Sequence, residues 1–153
     1  MLTNVMRKEN QEIKVIKAIS PEQIEHCFDV RKVVFMEEQM ISEEDEFDGF
    51  DSGSSHFLVT VDNIPVAAAR SRPTTNGVKL ERFCTLKEYR GLGLASKLVE
   101  SVIADCQKNF PDKKMYLYAQ VDVIPLYKKF GFIEEGEMFM ECDIQHQAMA
   151  IIN

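Results

Sequence analysis

No stretch of this chain is apolar over anything near the roughly 20 residues that a membrane helix needs. Met1 to Gln11 also lack an apolar segment followed by a small-residue cleavage site. These absences lead us to expect a cytoplasmic protein with no membrane partner. The four cysteines, Cys27, Cys84, Cys106 and Cys142, form no CxxC pair, and the histidines are not clustered. That spacing argues against a zinc centre or a disulfide framework, so no metal is expected and the thiols read as free and buried. Lys and Arg are missing altogether from Val33 to Ala69, where Glu37, Glu38, Glu43, Glu44, Asp45, Glu46, Asp48, Asp51 and Asp62 fall. A block of that sign repels a nucleic-acid backbone, so DNA and RNA are not expected as partners. It reads either as a solvated loop or as a field that draws in a cationic substrate.

What remains is ordinary globular material. The 153 residues are 45% hydrophobic and 28% charged, with a formal net charge of -7, enough for one domain across 1–153 with its core at about 12–150. Strands and helices alternate without repeats. Ile13 and Val15 flank Lys14 in a first strand, and Ser20, Pro21 and Gln23 supply a cap, a first-turn proline and a capping-box partner. The helix that follows runs to about Glu38, with Ile24, Cys27, Phe28, Arg31, Val34 and Phe35 on one face. Ser42 to Ser55 reads as a loop. His56 to Val61 then pairs with Pro65 to Arg70 across Asp62-Asn63, and Val78 to Thr85 follows a Pro73 to Gly77 turn.

The most informative segment is Tyr89-Arg90-Gly91-Leu92-Gly93-Leu94-Ala95, a glycine-containing turn before a helix with the apolar stripe Leu94, Leu98, Val99, Val102 and Cys106. A helix N-terminus exposes unpaired N–H groups, and small residues let phosphate oxygens approach them. A Walker loop is excluded because Lys97 follows Gly93 by four residues and precedes Leu98. A dinucleotide fingerprint fits poorly, since Ser96 stands at its third glycine. The pattern met is [RQ]xxGx[GA], through Arg90, Gly93 and Ala95.

Together with Met115-Tyr116-Leu117-Tyr118-Ala119-Gln120 and the YxxxGF run from Tyr127 to Phe132, this pattern resembles the acyl-CoA motif of the GNAT superfamily of N-acetyltransferases. The segments Val30 to Gln39, Glu46 to Asp51 with His56, and Asp143-Ile144-Gln145-His146 resemble its ElaA-like branch. The resemblance covers roughly residues 12 to 150, with Ala95 where many members have glycine. It implies an α/β fold, a mixed, mostly antiparallel sheet of six or seven strands with helices on both faces.

The implied reaction moves acetyl from acetyl-CoA, the co-substrate, to a primary amine of a small molecule or peptide; the other reading is a ligand-sensing module without turnover. The implied partners are acetyl-CoA and an amine acceptor, with a homodimer left open. Phe83 and Thr85 would offer backbone groups to pantetheine. Arg90 and the backbone of Gly91, Leu92, Gly93, Leu94 and Ala95 would hold pyrophosphate, with Lys87 nearby. Such chemistry needs a base, oxyanion donors and an acid. Tyr127, a phenol of reference pKa about 10, suits the acid. Glu81, expected to alternate with Phe83 on one face, is the candidate base. Glu38, His56 and His146 are rivals, or hold substrate. Cys84 raises the alternative of a covalent relay, which strand alternation disfavours.

Overall fold

The computed structural model describes residues 11–151. The reading of Met1 to Gln11 therefore lies almost entirely outside the described residues. The chain runs β1 (Ile13–Ala18), α1 (Pro21–Arg31), a π-helix (Lys32–Glu38), a short α2 (Glu43–Glu46), β2 (Ser55–Val61), β3 (Ile64–Thr74), β4 (Gly77–Thr85), α3 (Leu94–Asn109), β5 (Met115–Gln120), α4 (Ile124–Lys128), β6 (Ile133–Glu141) and β7 (Ile144–Ile151). Seven strands form one sheet in the order β1-β2-β3-β4-β5-β7-β6. Every neighbouring pair is antiparallel except β4 and β5. The expected fold is the one observed.

Local chemistry explains most boundaries. Ser20 and Gln23 form the capping box at α1, and Asp62 and Asn63 adopt positive φ of 49° and 67°, the geometry that a two-residue hairpin turn requires. The expected Pro73 to Gly77 turn is shorter than that. Pro73 still pairs with Val78, so only Thr75 and Asn76 lie outside the two strands. The expected Ser42 to Ser55 loop also contains structure. Ser42 Oγ accepts from the Asp45 amide at 3.2 Å and caps α2, whose acidic residues suit the positive end of a helix. Asp51–Gly53 adds a 3-10 turn.

Two cores sandwich the sheet. On one face α3 lays Leu94, Leu98, Val99, Val102 and Cys106 against Val59, Ala67, Leu80, Leu117 and Met149. On the other α1 and the π-helix pack Cys27, Val30, Val34 and Phe35 against Leu58, Ala68 and Cys84. Cys27, Cys84 and Cys106 are buried free thiols and Cys142 is an exposed one.

Two features of β4 shape the site. Its parallel pairing with β5 stops after Val78–Met115 and Lys79–Tyr116, so the two strands diverge beyond Lys79. The apex is tight, because a Cβ on Gly77 would collide with the Lys114 carbonyl oxygen. Then β4 bulges. Arg82 takes φ 59°, and the register jumps from Arg70–Glu81 to Ala68–Cys84, setting Arg82 and Phe83 against Ala69 alone. A bulge of this kind shifts the alternation of side chains by one. Phe83 therefore packs on the α3 core that Val78 and Leu80 serve, while Cys84 joins the α1 core. The expectation that Glu81 and Phe83 share a face is corrected by this extra residue.

Candidate active site

The divergence of β4 and β5 opens a cleft of about 930 Å³, lined by β4 from Lys79 to Thr85, by Leu117, Tyr118 and Gln120, by the π-helix, and by Tyr127 and His146. Cleft and sheet edge belong together: the Leu86 amide donates to the Val66 carbonyl at 2.8 Å. That bond turns residues 84 and 86 toward β3. The strand period of two then turns the backbone groups of Phe83 and Thr85 into the seam.

Beyond β4 lies the glycine turn. Gly91 and Gly93 take φ of 80° and 78°, and a Cβ on either would meet nothing within 4 Å. Both are exposed, while Leu92 is half-buried and Leu94 buried. The two leucines anchor the turn on the core and leave backbone facing outward at the start of α3, with Ala95 lining the cleft. Lys129 reaches Ser96 Oγ at 3.1 Å, a cation at this turn that the sequence reading did not single out.

Arg90 is held from two sides. Its Nε donates to the Thr85 carbonyl at 2.9 Å, and its two Nη groups donate to Glu38 at 2.7 and 2.6 Å. That hydrogen bonding, with the charge of Arg90 and Lys87, holds the Glu38 carboxyl below its usual range. Glu38 is thus joined to the arginine that precedes the glycine turn. Its neighbour Gln39 exchanges amide hydrogen bonds with Gln120 of β5, the shorter at 2.9 Å. The π-helix brings both residues to the seam, and such helices recur at functional sites. Nothing in its composition marks the change from α to π.

Tyr127 stands in the cleft wall, 5% exposed, edge-on to Phe83 with ring centroids 5.6 Å apart. Burial raises its pKa well above the ordinary phenol value. Cys84 is buried too, with Sγ 3.7 Å from the Ala68 carbonyl. Burial, and after it the charge of Glu46, pushes that thiol far above its ordinary value. A thiol so placed carries almost no thiolate near neutrality.

Glu81 is not a free carboxylate. Arg70 pairs with it, Arg72 Nε donates to it at 2.6 Å, and Lys79 Nζ lies 3.3 Å away. Burial raises its pKa, but Arg70, Arg72 and Lys79 outweigh burial and hold the carboxyl below its usual range. Arg70 also reaches Asp48 and Asp51 at 2.9 Å each. Arg31 donates at 2.7 Å to both Glu46 and Asp51, and Arg82 lies 3.2 Å from Glu46 and from Asp48. Glu46, Asp48 and Asp51 of the acidic block are therefore neutralised by arginines beneath them, as Glu38 is by Arg90. Neither a purely solvated loop nor a uniform acidic field describes this segment. One signal was legible: Arg70 and Arg72 follow Val66-Ala67-Ala68-Ala69 in a strand, and buried cations there require carboxylate partners.

The two candidate histidines separate. His56 does not line the cleft. It is buried against Phe28, with Nε2 2.9 Å from the Asp51 carbonyl. His146 does line the cleft, on the β7 residue opposite Gln120. Among the described residues no group of His, Cys, Asp and Glu could hold a metal ion, and no helix is long and apolar enough to cross a membrane.

A sheet that parts beside a bulged strand, with an open glycine turn at the end of the seam, is the architecture of an acyltransferase. The chain matches the acetyltransferase (GNAT) domain over residues 15–153. YyaT of Bacillus subtilis is 37% identical over 138 residues, covering 88% of this chain and 93% of that protein. The uncharacterized N-acetyltransferase YjcF of the same bacterium is 34% identical over 142 residues, 90% and 98% of the two chains. The crystal structure of Escherichia coli ElaA superposes with a TM-score of 0.82 at 28% identity, covering 93% of this chain and 99% of that one. The chain belongs to the GNAT family of acetyltransferases, and it is an enzyme of that kind.

Proposed function

We propose that this enzyme transfers acetyl from acetyl-CoA directly to a primary amine of a small molecule or peptide. The observation that carries the reading is the parted β4–β5 seam, with Tyr127 buried in its wall and the backbone of Phe83 and Thr85 turned into it. The residues fit such a co-substrate: the space in front of Gly91 and Gly93 is open to a depth that a Cβ would occupy, and α3 begins there with its free N–H groups. Bound acetyl-CoA supplies an activated acyl carbonyl and a thiolate leaving group. Backbone around Phe83 and Thr85 aligns the arm, and the turn from Gly91 to Ala95 receives the phosphates. Lys87, Lys129 and Arg90 add positive charge at that turn.

In the transfer a nitrogen–carbon bond forms and a carbon–sulfur bond breaks. The acceptor ammonium first gives one proton to a base; as the bond forms the nitrogen sheds a second, which restores Tyr127 after the phenol has protonated the departing thiolate. Burial keeps Tyr127 protonated before the reaction, and the same burial makes a thiolate formed beside it a stronger base, which is what lets the phenol donate. Direct transfer is favoured because Cys84 is buried as the thiol.

The test is a panel of primary amines assayed by acetyl-CoA-dependent thiol release, with both substrates varied. Intersecting double-reciprocal lines are expected. Parallel lines would overturn direct transfer, and no turnover with any amine would overturn the reading as a whole.

A further inference from the structure

Direct transfer, on which this inference rests, leaves the base unassigned. Glu81 is held as a carboxylate by three cations, Glu38 is clasped by Arg90, and His56 does not line the cleft. We propose that His146 is the catalytic base, taking the proton of the acceptor ammonium at Nε2.

A hydrogen bond fixes the tautomer of His146. His146 Nδ1 lies 2.7 Å from the Ile144 carbonyl oxygen, and a carbonyl only accepts, so Nδ1 carries the hydrogen. In the neutral ring the lone pair is then on Nε2. The ring is clamped by Phe139, stacked at 5.8 Å with an interplanar angle of 22°, and Phe139 is held edge-on by Tyr118 at 5.3 Å. Both Tyr118 and His146 line the cleft, so the Nδ1 bond and the stack fix the ring in the cleft wall.

Charge completes the arrangement. Glu141 of β6 lies 3.9 Å from Nε2, beyond hydrogen-bond range. It leaves the lone pair available. From β5 the register sets the neutral Gln120 opposite the ring. The other charged groups of the cleft wall include Asp45, Glu81, Asp122 and Arg82. Glu81 is occupied by Arg70, Arg72 and Lys79, and Arg82 by Glu46 and Asp48. His56 shows the opposite tautomer: its Nε2 donates to a carbonyl and its Nδ1 is buried without a partner.

Two measurements test the assignment. Ring nitrogen NMR of the wild-type protein above the titration of His146 should find the hydrogen on Nδ1; a hydrogen on Nε2 overturns the proposal, whatever the activity. With an amine that the panel shows to be acetylated, His146→Asn should lower kcat/KM by about 10²- to 10⁴-fold. It should also remove the acid limb of the pH profile, while the acetyl-CoA dissociation constant holds within about twofold. A full rate in His146→Asn, or an acid limb at the same midpoint, overturns the proposal. If no amine turns over, the proposed function falls on its own, and the ring tautomer still decides whether Nε2 is a free base.

Discussion

At the scale of single residues, the site sorts its ionisable groups by what surrounds each. Tyr127 has apolar walls and keeps its proton; Glu81, in the same cleft, has cations and gives its proton up. The phenol is therefore the group that can donate, and Tyr127→Phe keeps the packing against Phe83 while removing the donor. Its kcat should fall by roughly 10²- to 10⁴-fold with acetyl-CoA affinity retained, whereas an effect confined to KM would assign the hydroxyl to binding. The arginine network makes a second prediction. Arg70→Met strips a fully buried cation from Asp48, Asp51 and Glu81, and breaking such a cluster costs about 3–5 kcal/mol, readable as a lower urea midpoint. Its pH signature has a definite sign. Burial raises the pKa of Asp48 and Asp51, but the hydrogen bonds and charges of Arg70 and Arg31 outweigh it, so both titrate below their ordinary values. Groups depressed on folding stabilise fully above the unfolded pKa of about 4, and that stability is lost as pH falls below it. Glu46, raised by burial, runs the other way and offsets part of the loss. Wild type should therefore lose stability steeply in acid, and Arg70→Met should show a shallower acid slope.

At the scale of elements, β1 to β4, α1 and α3 were legible because hydrophobic period, caps and turn chemistry agree along the chain, whereas β5 was read from the family resemblance and β6 and β7 carried no local signal that was read. The capping box of Ser20 and Gln23, the Asp62-Asn63 hairpin and the Leu94 to Cys106 stripe all signal locally. The bulge at Arg82 and the π-helix do not. Each is a one-residue change of phase that tertiary packing decides, and each repositions candidate groups: the bulge separates Glu81 from Phe83, and the π-helix delivers Glu38 to Arg90. The cradle is the opposite case, since positive φ at Gly91 and Gly93 is what glycine in that motif supplies. A valine at position 93 would be strained by its φ of 78° before any ligand arrived. Gly93→Asn is the cleaner probe, because asparagine tolerates that conformation and still fills the space before α3. Acetyl-CoA should then raise the melting temperature of wild type and leave that of the folded variant unmoved. Equal stabilisation of both would remove the phosphates from this turn.

At the scale of the whole molecule, the acidic segment is two things at once. Glu46, Asp48 and Asp51 face inward onto Arg31, Arg70 and Arg82 and fasten the loop to the sheet, so they present little net field. Glu43 and Glu44 are exposed on α2, and Asp45 beside them lines the cleft. Within the loop from Ser42 to Ser55, it is this outer group that can act at a distance on an arriving amine, which is cationic near neutrality. Exposed charges are screened over about 8 Å at physiological ionic strength, so steering should show as a dependence on salt. Glu43→Gln with Glu44→Gln should raise KM for the amine at low salt and flatten its salt dependence. Acetyl-CoA, being anionic, should bind equally well or slightly better. Glu46→Gln would not report on steering at all, because it removes one of the two carboxylates that hold buried Arg31 and should first appear as lost stability. If amine KM and its salt dependence are both unchanged in the double variant, α2 is a solvated cap on the loop, and acceptor selection rests with groups inside the cleft.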